Sequence, residues 1–154
     1  MLRKLALILA AAAAIGLTGC RRPHPGRPTT GTVTVNGHVW RVEIVDTPEK
    51  RYRGLSGRRE LPEGTGMLFV YDEPGVLGFV MRDMYIPLDI AFIDEDKEIV
   101  RIHTMAVEPD RNGDIVYSSD APAQYALEVP AGSFERAGIR EGNRVAFSDG
   151  IIRP

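Results

Sequence analysis

The stretch Thr32-Val33-Thr34-Val35-Asn36-Gly37-His38-Val39-Trp40-Arg41-Val42-Glu43-Ile44-Val45 decides the fold class. Two runs rich in β-branched residues flank Asn36-Gly37, and a two-residue connection in a type I′ turn needs positive φ at both positions, which Asn and Gly supply. Trp40, Val42 and Ile44 alternate with polar neighbours, so one face of the second strand is apolar. Working outward, Asp46-Thr47-Pro48-Glu49 reads as a helix start: Thr47 can cap, Pro48 suits the first helical position and Glu49 the positive end. Gly54 and Gly57 limit that helix to two or three turns. Met67 to Tyr71, Gly78 to Met81, Leu88 to Asp94, Glu98 to Thr104, Tyr125 to Val129 and Arg144 to Phe147 are further short apolar runs bounded by turn residues. Asp94-Glu95-Asp96-Lys97 reads as a solvated hairpin tip. Ser133 to Gly138 reads as one helical turn with Ser at its start and Gly at its close. The expectation is a mainly β single domain, a β-sandwich or barrel-like body with one short α-helix packed outside.

The chain has 154 residues, 44% hydrophobic and 26% charged, enough for one domain. That composition excludes a wholly disordered chain, a collagen and a disulfide scaffold. All 21 acidic residues and 14 of the 19 basic ones lie beyond residue 30, so residues 31 to 154 carry a net charge of -7. An acidic body argues against nucleic acid as a partner, and a monomer is expected.

The amino terminus reads as an address. Arg3 and Lys4 precede an apolar run of 13 residues, Leu5 to Leu17, which is too short for a mature membrane span. Leu17-Thr18-Gly19-Cys20 follows and resembles the lipobox of bacterial lipoproteins, in which the thiol is lipidated and cleavage makes it the first residue. Cys20 is the only cysteine, so no intramolecular disulfide competes for it. Residues 1–19 are thus expected to be a lipoprotein signal peptide, and residues 20–30 a lipidated Cys with a flexible, Pro-rich tether. Several acyl chains on one residue give stable anchoring. Arg21 differs from the Asp that retains many such lipoproteins in the inner membrane. The expected location is therefore exported and anchored to the cell envelope, on the outer membrane facing the periplasm in a host with two membranes. His24 falls in the tether, without a second donor beside it.

Within the body, residues 31–154, several constellations can be weighed. Asp110-Arg111-Asn112-Gly113-Asp114 has the start of a calcium loop but lacks Gly at the sixth position and Glu at the twelfth, and Asn-Gly is itself a turn signal. His103, Ser118 and Ser119 have no nucleophile elbow around them. His38 and His103 lack the cysteines and close spacing of a zinc site. Met67, Met81, Met84 and Met105 could hold Cu(I), but three of them sit in or beside apolar strands, where Met fills core. Neither a metal nor a cofactor is expected. The most unusual stretch is Gly78 to Asp94, in which Arg82-Asp83 lies between two Met, and Asp89 borders the apolar run Ile90 to Ile93. Loops between rigid strands are where function concentrates.

Asp46 to Arg58, Leu61-Pro62, Gly66-Met67-Leu68-Phe69-Val70, Met81, Ile86-Pro87-Leu88-Asp89-Ile90, Phe92-Ile93-Asp94 and Leu127-Glu128-Val129-Pro130-Ala131-Gly132 resemble, in order, the motifs of the DUF192 (UPF0127) family of prokaryotic proteins. The resemblance implies a compact, mostly β, sandwich-like domain, often exported, with no established cofactor or function. The family pattern has Met where this chain has Ser56, Trp where it has Val80, and Asn-Thr where it has Asp83-Met84. Two functions follow as expectations. The first is a lipid-anchored binding or accessory module for a small molecule, glycan or envelope protein, using Arg53, Arg58, Met81, Arg82, Asp83 and Asp89, whose guanidinium groups favour an anionic partner. The second is an envelope hydrolase with Asp83 and Asp89 as acid and base.

Overall fold

A computed structural model describes residues 29 to 151, so the expected signal peptide, Cys20, His24 and most of the expected tether lie outside the described residues. Seven strands form one sheet: β1 (Thr30–Val35), β2 (His38–Val45), β3 (Thr65–Phe79), β4 (Leu88–Ile93), β5 (Ile99–Met105), β6 (Tyr117–Pro130) and β7 (Val145–Phe147). Their spatial order is β5-β4-β6-β3-β2-β1-β7. The sheet curls until its two ends meet. Glu98 bridges Arg144, the Ile99 amide donates to the Asn143 carbonyl at 3.0 Å, and the Val145 amide donates to the Lys97 carbonyl at 2.8 Å. The body is therefore mainly β and barrel-like, the closed alternative of the two expected from the sequence.

The opening hairpin forms as its residues demand. Asn36 and Gly37 have φ of 48° and 81°, and Val33 pairs with Trp40. Trp40, Val42 and Ile44 all point into an inner core shared with Leu68, Leu127 and Phe134. The other face of the sheet is covered too. Met67, Phe69, Phe79, Leu88, Ile90, Phe92 and Ala126 form an outer core with Leu55, Met81 and Met84 from the connections. Burial on both faces explains why β4 is apolar along its whole length save Asp89.

Two departures from expectation matter for the site. The run Met67 to Tyr71 and the first half of the run Gly78 to Met81 belong to one long strand, β3, which ends at Phe79 and whose pairing with β6 is interrupted by register shifts near Gly75 and Gly78. Bulges of this kind bend a strand and let it follow a barrel wall. Furthermore, β2 and β3 pair in parallel, which no hairpin permits, so residues 46–64 must cross over the sheet. That crossover carries α1 (Pro48–Arg53), capped by Thr47 and shorter than expected, with no buried residue of its own. The second helix, α2 (Ser133–Arg136), begins at Gly132, which has φ of 78° and makes no side-chain cap, rather than at a capping Ser; Ser133 is instead buried.

Candidate ligand-binding cavity

The crossover and the segment between β3 and β4 together roof the outer face of β3 and β6. Under that roof is a cavity of about 250 Å³, lined by α1 residues Arg51, Tyr52 and Arg53, by Leu55 and Ser56, by Phe69, Tyr71 and Phe79 of β3, by Met81, Arg82 and Met84, and by Glu128 of β6. Strand alternation turns Tyr125, Leu127 and Val129 inward and leaves Ala126 and Glu128 on the outer face, where Glu128 lies opposite Met67 and Ile90.

Glu128 is only 5% exposed, and among the described residues its carboxyl takes part in no hydrogen bond or ion pair. Burial alone pushes its pKa up to about 8, so the group is a neutral acid at pH 7. The nearby Tyr71 phenol is likewise pushed up by burial, opposed by Arg51 and reinforced by Glu128. At the mouth, Arg82 stacks at 4.0 Å over the ring of Tyr52 and donates to the Tyr52 carbonyl at 2.7 Å. Arg51 stacks at 4.5 Å over Tyr71 and donates to the carbonyls of Asp46 and Val70. The Arg53 guanidinium is exposed and bonds to no described residue.

Of the residues singled out from sequence, Arg53, Met81 and Arg82 line this cavity. Arg58 faces a neighbouring hollow that shares Arg53, and its guanidinium grips Glu43 through two bonds of 2.6 Å, which hold the Glu43 carboxyl below its ordinary value. Asp83 is exposed, with φ of 54°; its amide donates to the Arg111 carbonyl and its carbonyl accepts from Gly57. Asp89 lies on the inner face, 2% exposed, accepting from the Thr104 hydroxyl at 2.8 Å and the Phe134 amide at 3.1 Å. The sheet thus separates Asp89 from Asp83, and the two carboxylates are not assembled as an acid and base. Ser56, where the family pattern has Met, uses its hydroxyl to hold the Arg82 carbonyl at 3.0 Å.

The remaining constellations resolve into structure. Glu108, buried, accepts from the amides of Gly113, Asp114 and Ile115, so it organises the 108–115 loop. Glu108, Asp110 and Asp114 bring carboxylate oxygens within 4.8 Å of one another, but Glu108 already accepts three backbone amides, two at Oε2 and one at Oε1, which gives it a structural role. The loop then packs against the backbone of Arg82 through Gly113, so it supports the cavity mouth. His103 donates from Nε2 to the Ser118 carbonyl at 2.8 Å while the Ser119 hydroxyl bonds Ala121, which leaves no Ser–His hydrogen bond. All four body methionines are buried in the outer core.

The fold and site define a barrel-like β domain with a roofed, partly apolar cavity. The profile of DUF192, described as an uncharacterised family, matches residues 31–147, and the chain belongs to that family. Among curated proteins no relative matches. Two solved structures are similar. A Sinorhizobium meliloti protein described as a candidate transcription regulator is 32% identical, with a TM-score of 0.71, covering 77% of this chain and 94% of its own. A Novosphingobium aromaticivorans protein of unknown function is 30% identical, also with a TM-score of 0.71, covering 89% of this chain and 99% of its own. In the sequence Glu128 belongs to the Leu127 to Gly132 motif and is not among the expected site residues. A Glu inside a run that otherwise reads as a buried strand was the available signal, because a carboxyl there needs a partner or a purpose.

Proposed function

We propose that this protein is a lipid-anchored binding module of the cell envelope whose ligand enters the cavity beneath α1. The observation that carries the reading is Glu128: a carboxyl buried without a partner costs stability, and here it faces a cavity large enough for a small molecule. The aromatic and methionine walls offer apolar contact and the guanidinium groups at the mouth offer orientation. The unique Cys20 in its lipobox supports the anchor, and the Pro-rich tether would hold the domain clear of the bilayer. The cavity volume favours a small molecule, or a terminal group of a larger one, over a broad protein interface.

The test is native mass spectrometry of the protein released gently from its own membranes. A bound mass should accompany the wild type and be absent from a folded Glu128→Leu variant. If the wild type carries no bound mass, or both proteins carry the same one, the cavity is not the binding site.

A further inference from the structure

Charge around the cavity narrows what it accepts. Residues 31 to 154 are net acidic, yet the formally charged side chains lining the cavity are three guanidinium groups, Arg51, Arg53 and Arg82, and one carboxyl, Glu128. Among the described residues no carboxylate pairs with Arg53 or Arg82. The mouth is therefore locally positive on an acidic molecule, and a cation placed there would meet like charge on three sides. The wall beyond is aromatic and apolar, ending at Glu128, whose carboxyl group has capacity to donate and accept when protonated.

We infer that the cavity takes a small organic anion, its acidic group held by the Arg53 guanidinium and its uncharged polar end hydrogen-bonded to the Glu128 carboxyl. This rests on the reading of the cavity as the binding site. Arg53 suits the outer role because its fork is uncommitted, whereas Arg82 and Arg51 are held by backbone carbonyls and stacked rings. The titratable and charged groups that share the cavity with Glu128 are Arg51 and Arg53 on α1, Tyr71 on β3 and Arg82 on the following segment; of these, Tyr71 is coupled to it electrostatically. β4 presents Ile90 opposite it. Burial raises the Glu128 pKa, so the acid is neutral and compatible with a neighbouring anion at pH 7; once ionised, it adds a negative charge to the site and opposes the ligand.

Met81 and Met84 line the cavity, whereas Met105 belongs to the same outer core without lining it, so methyl-labelled methionines report occupancy with an internal control. The full chain in detergent micelles is titrated with 4-hydroxybutyrate, 1,4-butanediol and 4-amino-1-butanol, which share one hydroxyl end and differ in the charge of the other. The anion should shift the Met81 and Met84 signals saturably, with the diol and the amine weaker by about tenfold or more, the worth of one charge-assisted contact. Arg53→Gln should erase that preference. Wild-type affinity should fall between about pH 6.5 and about pH 9, while Glu128→Gln, which cannot ionise, should show no such fall. Equal binding of the diol or the amine, an unchanged preference in Arg53→Gln, or no shift at Met81 and Met84 with any probe would overturn the inference. The binding-module reading is judged separately, by whether a mass is retained from the native membrane.

Discussion

A carboxyl largely withdrawn from water without a cation paired to it keeps its proton, and Glu128, 5% exposed at the cavity wall, is in that position on the outer face of β6. Its pKa is about 8 in the folded chain against an ordinary 4.5. Between these values the unfolded chain releases the proton and the folded chain retains it, so the folded state loses ground as pH rises through that window and the loss is complete above pH 8. Glu128→Gln should therefore gain stability relative to wild type from pH 4.5 to pH 8, by a few kcal/mol on the order of 1.4 per pKa unit, read from melts across pH. A constant difference between the two proteins would remove the buried acid from the account. Asp89 is the contrasting case: with the Thr104 hydroxyl and the Phe134 amide as donors it ties β4 to β5 and α2. Asp89→Ala should cost about 1 to 3 kcal/mol, chiefly by leaving the buried Phe134 amide without its acceptor, since Thr104 is exposed and its hydroxyl can turn to water. Chemical denaturation giving no change would show that water replaces the carboxylate there.

At the scale of elements, the segment between β3 and β4 is placed by its neighbours more than by its own propensities. Asp83 sits at φ of 54°, held by Gly57 on one side and Arg111 on the other, and Ser56 fixes the Arg82 carbonyl. The 108–115 loop behind it needs Gly113: φ there is +80°, and an added Cβ would lie 2.9 Å from Arg82 Cβ and 3.0 Å from its amide nitrogen. Gly113→Ala should cost about 1 to 2 kcal/mol in backbone strain alone, and the clash should displace Arg82 from the Tyr52 ring. A melt combined with a crystal structure of the variant checks both. An unmoved Arg82 would show that the loop is not its support. By contrast, Arg82→Ala removes only an exposed stack and one hydrogen bond, so a loss of about 1 kcal/mol or less is expected in the same melt.

For the whole molecule, the barrel puts its inner core in one compartment and its chemistry in another. The inner core is closed by the meeting of β5 and β7, while the outer face is covered only by connections, which is where a cavity can open. The proposed anchor is a separate matter of sequence and rests on Cys20. Cys20→Ser should leave the protein unlipidated and shift it out of the detergent phase on phase partitioning. Unchanged partitioning would end the lipoprotein proposal.

The hairpin, the capping Thr47 and the 94–97 tip were legible because each depends on residues adjacent in sequence: positive φ at Asn-Gly, a side-chain oxygen within reach of an amide three residues on, polar residues at a turn. Alternation also marked Trp40, Val42 and Ile44 as core. Of the six residues singled out from sequence, Arg53, Met81 and Arg82 line one cavity, whereas Asp89 goes to the opposite face because β4 alternation turns it inward. The parallel pairing of β2 with β3 was not legible: an apolar run carries no mark of its partner's direction, and the direction alone requires residues 46–64 to cross the sheet and bring α1 over β6. Sequence therefore marked the apolar centres of the strands and the turns at 36–37 and 94–97, while the extensions of β3 and β6 past those centres follow from their pairing with each other. Only the tertiary structure decided that Glu128 would stand alone at the wall of a cavity, since its isolation depends on which distant side chains approach it.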